Sequence, residues 1–207
     1  KAKIENINID LIYNIPKQRL RDWKEDLYLV ASLEPQHISA YSLIVEKNTA
    51  LYSMVKNKDI YMPTERIDKE MFLNTIEQLE KSGYLQYEIS NFSKANMQCR
   101  HNLHYWRLEP YLAFGPAAHG FDGQKRWWNT RSLDNYMELL DKDELPIDSN
   151  EILTQKDYFN ESIMNGLRLN EGIEIKRLKK LCPEDINTYL EPHMKKWPQI
   201  NTQDEVL

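Results

Sequence analysis

The sequence predicts an α/β protein: parallel strands joined by helices, extended by short antiparallel strands and followed by a small helical domain. Three observations carry that expectation. Two strand-like apolar runs are each followed by a segment of helical periodicity. An aromatic-rich stretch with no long helical pattern comes next, and three short apolar-periodic segments follow a polar connector.

The first run, Ile7 to Ile12, alternates and is rich in β-branched residues, so it is expected as a strand that stops at Tyr13-Asn-Ile-Pro16. Leu20, Trp23, Leu27 and Val30 then recur at helical spacing up to Leu33, with Pro35 closing the segment. His37 to Val45 reads as a buried strand. Pro63-Thr64 introduces a helix with Phe72, Ile76 and Leu79 on one face. Glu65 and Asp68 suit the positive end of that helix dipole, Lys81 the negative end, and Gly83 the left-handed position past its terminus. Two successive βα units imply parallel strands joined by crossovers.

From Tyr84 the pattern changes. Leu85, Tyr87 and Ile89 alternate with polar residues as in a half-exposed strand, and His101–Leu108, Tyr111–Phe121 and Lys125–Thr130 are expected as short strands with loops, extending the sheet in antiparallel fashion. A helix over Ser132–Leu140 and a polar connector, Asp141–Ser149, come next. Phe159, Ile163 and Leu167 then mark one helix, Ile175, Leu178 and Leu181 a second, and Ile186, Leu190 and Met194 a third. These readings divide the chain into residues 1–140 and a helical domain, 141–207.

The 207 residues, 41% of them hydrophobic, are enough for a packed core. A net charge of −5 with both signs interspersed argues against nucleic acid as a partner, because phosphate binding needs a basic footprint. The apolar runs fall far short of the roughly 20 residues of a membrane-spanning helix. Two cysteines, Cys99 and Cys182, and no secretory signal pattern fit a cytoplasmic or organellar interior. Lys1 leads into an apolar run without a turn, and Asn201–Leu207 is similarly unfinished, as in a chain cut from a larger protein.

Asp10 lies between Ile9 and Leu11 in the first strand, where an ionised carboxylate is costly without a partner. Near a strand end it suits a ligand amine or ribose hydroxyls, or it is satisfied by loop N–H groups. The densest polar and aromatic cluster is Cys99-Arg-His-Asn-Leu-His-Tyr-Trp-Arg107, followed by Gly115-Pro-Ala-Ala-His-Gly120. Three of the five histidines, His101, His104 and His119, fall in this region among Tyr105, Trp106, Tyr111 and Phe114. Imidazole ligates haem iron and flat rings pack on a macrocycle, so the composition suits a tetrapyrrole; a hydrogen-bonded polar seam is the alternative. As strand residues, His101 and His104 would face opposite ways and would not share one metal. No spacing suits zinc, and Gly115–Ala118 is a tight bend rather than a phosphate loop. Trp127 and Trp128 read as packing residues.

Four motifs, Asn8-Ile-Asp-Leu-Ile-Tyr-Asn-Ile-Pro16, Gln86-Tyr-Glu-Ile-Ser-Asn-Phe92, Arg100-His-Asn-Leu-His-Tyr-Trp106 and Tyr111-Leu-Ala-Phe-Gly-Pro-Ala-Ala-His-Gly120, together resemble the HemW-like proteins, relatives of oxygen-independent coproporphyrinogen III oxidase (HemN). The resemblance covers essentially the whole chain and implies the C-terminal portion of a radical-SAM partial (β/α) barrel. In that family a preceding Cys-x-x-x-Cys-x-x-Cys segment holds a 4Fe–4S cluster. S-adenosylmethionine binds to the cluster and yields a 5′-deoxyadenosyl radical on reductive cleavage. No such motif occurs here, so no cluster ligand is expected in this chain.

The resemblance implies that Asp10, Ile44 and His119 approach S-adenosylmethionine, and that His101, Asn102, Tyr105 and Trp106 belong to a segment associated with haem in the HemW branch. It implies a haem chaperone, passing haem to an acceptor protein, ahead of an oxidase converting coproporphyrinogen III to protoporphyrinogen IX or a cluster-less haem-binding module. Asn14 stands where the family usually has glycine, and asparagine tolerates the left-handed conformation such a turn requires.

Overall fold

The computed structural model describes residues 3–182, 185–197 and 206–207. Lys1, Ala2 and residues 201–205, part of the two chain ends singled out above, lie outside them. The chain divides into two compact units, Lys1–Cys99 and Arg100–Leu207. The expected domain boundary at 140/141 falls within the second unit. No helix among the described residues is long and apolar enough to cross a membrane.

In the first unit, β1 (Asn8–Tyr13), α1 (Leu20–Ser32) and β2 (His37–Ser42) form the expected βα unit, with β1 and β2 parallel and Asp10 in register with Ser39. Two helices follow, α2 (Ala50–Lys56) and α3 (Glu65–Lys81), then a hairpin of β3 (Leu85–Glu88) and β4 (Asn91–Ser93). The hairpin lies antiparallel to β2, giving the order β1-β2-β4-β3. The apolar face read for α1 forms the core, with Trp23, Leu27 and Val30 buried beside Ile38 and Phe92; on α3 the buried residues are Met71 and Leu79, while Phe72 and Ile76 of the expected face are only partly buried against them. Trp23 donates its Nε1–H to Thr75 Oγ1 at 2.9 Å, so the one polar atom of the largest core side chain is satisfied. Thr64 caps α3 and Gly83 takes φ +84° past its end, as the sequence predicts.

Tyr13 ends β1 buried, its ring 5.1 Å from Trp23. Burial, assisted by the charge of Asp68, pushes its hydroxyl up to about 12 from the ordinary value of 10.0. Because the folded state holds this proton more tightly, the contribution is present below pH 10 and lost as pH rises towards 12. At ~1.4 kcal/mol per pH unit it amounts to about 2–3 kcal/mol. Urea midpoints measured across that alkaline range are expected to fall less steeply for Tyr13→Phe; parallel curves would remove Tyr13 from the effect.

The second unit opens with α4 (Arg100–Trp106). Then β5 (His119–Phe121), β6 (Lys125–Asn129) and β7 (Ile147–Ile152) form a separate antiparallel sheet, β5-β6-β7, with α5 (Leu133–Asp141) between its last two strands. Three helices follow, α6 (Gln155–Gly166), α7 (Ile175–Leu181) and α8 (Ile186–Lys196), packed around Phe159, Leu178, Ile186 and Leu190. They are the three helices the periodicity predicts.

Four expectations change. His101–Leu108 is helical rather than extended: its His, Asn, Tyr and Trp have weak and similar preferences for either state, and packing decides. His101 therefore shares a helical face with Tyr105, and Asn102 with Trp106, replacing the two-faced strand arrangement. The segment read as a polar connector runs into β7, whose side chains are almost all exposed, so the backbone ladder rather than an apolar face defines it. The first sheet is extended by β3 and β4, while the aromatic segments beyond residue 110 build the second sheet instead. Asp10 lies on the exposed face of β1 rather than among the apolar residues, with Ile9 and Leu11 turned to the core. Helix α2, which buries no side chain, had no apolar stripe to reveal it.

Candidate functional site

In the first unit, strand alternation puts Asn8 and Asp10 on one face of β1. Asn8 Nδ2–H donates to Asp10 Oδ1 at 2.6 Å. Asn8 Oδ1 in turn meets His37 Nδ1 at 2.6 Å and the Ser39 hydroxyl at 3.3 Å. His37 Nε2 lies 2.9 Å from Tyr87 Oη, which also accepts the Cys99 N–H at 3.3 Å. Burial holds the His37 imidazole below its ordinary pKa, outweighing the nearby charges of Asp10 and Glu88. Ile44, two residues beyond β2, is 73% exposed.

The turn after β1 takes the left-handed conformation expected at Asn14, with φ +63°. Its amide Nδ2–H donates to Ser42 Oγ at 3.2 Å, and Ser42 donates to Asp68 Oδ1 at 2.9 Å. Asn14 Oδ1 is buried with no hydrogen-bond partner among the described residues. An exposed, braced carboxylate and an unused buried acceptor on the same strand and its turn are an acceptor set that suits a ligand bearing an amine.

In the second unit a cavity of about 490 Å³ is walled by Tyr105 and Trp106 of α4, Tyr111, His119 and Phe121, and Arg126 and Trp128 of β6. Tyr105 and Tyr111 pack with ring centroids 4.4 Å apart, and the His119 imidazole lies 5.8 Å from Trp128. Arg168 stacks its guanidinium 4.2 Å over Trp106, whose Nε1–H is buried without a partner among the described residues. The cavity thus gathers Tyr105 and Trp106 of one motif and His119 of another. His101 and Asn102 do not line it; the His101 ring stands edge-on to Tyr105 at 4.9 Å. His104 pairs with Glu109 instead.

The charged members of this cavity were not read from the sequence. Arg126 donates to Glu161 at 2.7 and 3.0 Å and to Glu151 at 3.1 Å, and the bond to Glu161 raises its already high pKa. Alternation along Lys125-Arg-Trp-Trp-Asn129 was the available signal, since Arg126 and Trp128 share one face of β6. The other face, with Lys125, Trp127 and Asn129, lines a second cavity with Leu112, Phe114 and Leu145. The Gly115–Ala118 bend is held by Asn129, whose amide donates to Gly115 O at 3.0 Å, and by the Tyr136 hydroxyl, which accepts the Gly115 N–H at 3.0 Å.

Among the described residues no three His, Cys, Asp or Glu side chains gather as a metal-binding group, and Cys99 and Cys182 are free thiols in different units. These residues do not fit a 4Fe–4S cluster, which takes four ligands.

A family model described as the HemN C-terminal domain matches residues 153–199. The heme chaperone HemW of Bacillus subtilis is 35% identical over 173 residues, covering 84% of this chain and 46% of that protein. A putative heme chaperone HemW-like protein of Buchnera aphidicola is 39% identical over 179 residues, 86% of this chain and 46% of the relative. The chain thus spans about half the length of these relatives. The solved structure of coproporphyrinogen III oxidase (HemN) from Escherichia coli, described as a radical SAM enzyme, superposes with a TM-score of 0.70 at 21% identity, over 91% of this chain and 48% of that one.

Proposed function

The chain belongs to the HemW/HemN family of radical-SAM proteins, and from that premise we propose that it is the haem-handling portion of a HemW-type haem chaperone. The complete protein binds S-adenosylmethionine and haem and delivers haem to an acceptor protein in a cytoplasmic or organellar interior. The chaperone reading stands ahead of the oxidase because the sequence relatives at 35% and 39% identity bear the chaperone name, whereas the oxidase shares the fold at 21%.

One observation carries the reading. The cavity of about 490 Å³ between α4, β5 and β6 presents flat rings from Tyr105, Trp106, Tyr111 and Trp128 together with the His119 imidazole. Apolar planar walls with a few polar groups match the faces of a tetrapyrrole, and the Trp106 Nε1–H, unpartnered among the described residues, and the Arg126 guanidinium supply donors for its polar edge. His101 supports the wall through Tyr105, and Asn102 lies one helical turn before Trp106. The first unit contributes Asp10 and Ile44 to S-adenosylmethionine, and His119, which the resemblance assigns to that cofactor, faces the aromatic cavity. Residues 153–199, which match the HemN C-terminal domain model, act as the family's C-terminal domain. The cluster and S-adenosylmethionine supply reductive radical chemistry to the complete protein; this chain's residues bind and orient.

The test is a visible-absorption titration of the complete protein with haem. Trp106→Ala and Tyr105→Ala each remove a wall and are expected to weaken binding by about tenfold or more, the scale of a buried aromatic anchor. His101→Ala weakens it less, through Tyr105. Unchanged titrations for both wall variants would overturn the site.

A further inference from the structure

Asp10 is an exposed carboxylate on a strand bounded on one side only among the described residues, since β1 pairs with β2 alone. Such a side chain ordinarily samples several rotamers, and a ligand that uses it must first fix it. Here it is already held by a chain of hydrogen bonds that runs inward across two further strands.

We infer that Asn8 and His37 are positioning residues that hold the Asp10 carboxylate for its ligand; the inference rests on the reading that Asp10 contacts S-adenosylmethionine. The direction of every bond is consistent. The Cys99 N–H donates to Tyr87 Oη, the Tyr87 hydroxyl donates to His37 Nε2, His37 Nδ1–H donates to Asn8 Oδ1, and Asn8 Nδ2–H donates to Asp10 Oδ1. An asparagine amide alone can present either its oxygen or its nitrogen to a neighbour. Two donors, His37 Nδ1–H and Ser39 Oγ–H, meet at Asn8 Oδ1, and they turn the NH₂ group towards Asp10.

His37 can do this because it is buried, 5% exposed, where the neutral ring with one donor and one acceptor nitrogen is favoured. Register supplies the rest: Asn8 lies opposite His37 and Asp10 opposite Ser39 in the parallel pair, so the brace is built into the β1–β2 ladder. One oxygen of Asp10 is thereby engaged from within the protein, and the other is presented to accept a ligand N–H.

The experiment is a double-mutant cycle on S-adenosylmethionine affinity, measured by calorimetry on the complete, cluster-loaded protein without other substrate. Asp10→Asn weakens binding, and Asn8→Ala, on an exposed position, weakens it by about three- to tenfold while leaving the melting temperature near that of the parent. Asn8→Asp keeps the acceptor for His37 but removes the donor and sets two carboxylates together, so it weakens binding at least as much. The decisive outcome is non-additivity: Asn8→Ala has no further effect when Asp10 is already asparagine. Full additivity would refute the brace, as would an unchanged affinity in Asn8→Ala beside a weakened Asp10→Asn. An unchanged Asp10→Asn would instead remove Asp10 from the cofactor site, and the inference with it. Independently, ¹⁵N spectra of labelled histidine are expected to show His37 protonated at Nδ1 and bare at Nε2; the opposite tautomer would overturn the proposed direction of the chain.

Discussion

Trp23→Ala is expected to destabilise the first unit by about 3–5 kcal/mol, the range for truncating a fully buried large aromatic. Trp23 is 1% exposed and joins the three elements that define this unit. Its ring packs on Tyr13 at the end of β1, its helix packs on α3, and its Nε1–H reaches Thr75 across that contact. Thr75 keeps its own bond to Met71 O, so the loss is mainly the cavity left by an indole rather than an unsatisfied hydroxyl. Trp23→Phe therefore costs less than half as much. Urea unfolding followed at the tyrosines of the first unit measures both; a loss below about 1 kcal/mol for the alanine variant would show that α1 and α3 close over the gap.

That core was legible because α1 and α3 each pack one apolar stripe against it, at 20, 23, 27 and 30 and at 72, 76 and 79, and such a stripe imposes a period on the sequence; the fully buried Met71 and Thr75 of α3 lie beside that stripe. The elements that were not legible bury little. Helix α2 has no buried side chain, and β7 exposes nearly all of its side chains, so neither leaves a hydrophobic pattern, only a cap at Thr49 or a backbone ladder. Helix α4 misled for a different reason, since apart from Arg100 and Leu103 its residues are aromatic or polar with no strong propensity and its state is set by what it touches.

The candidate site divides along the same line. Tyr105, Trp106 and His119 stand out as residue types and do meet at one cavity. Arg126, Glu151 and Glu161 meet there only because β6, β7 and α6 converge, and no local signal records a contact 35 residues apart. The brace on Asp10 is similar, because the bond from His37 to Asn8 spans 29 positions and exists only once the parallel register is set.

Gly120→Val tests that second sheet, with an expected loss of about 2–3 kcal/mol, at the upper part of the range for overpacking. Gly120 lies opposite Trp127 in the β5–β6 ladder, and a Cβ there would stand 2.2 Å from Trp127 Cζ2 and 2.3 Å from Cε2. These atoms belong to a rigid indole, so relief requires the whole ring to turn or the strand to shift. A strand shift also moves Arg126 and Trp128, which flank Trp127 and face the aromatic cavity from the other side of the sheet. The variant is therefore expected to lose haem affinity in the complete protein as well as stability, although Gly120 itself does not line the cavity. Even Gly120→Ala places the offending atom, so it should show most of the effect. Pairing it with Trp127→Leu removes the ring and should recover part of the loss beyond what the two single changes predict. An alanine variant as stable as the parent, with an unchanged haem titration, would show that Trp127 turns aside without moving the strand. The coupling between the two faces of the sheet would then be absent.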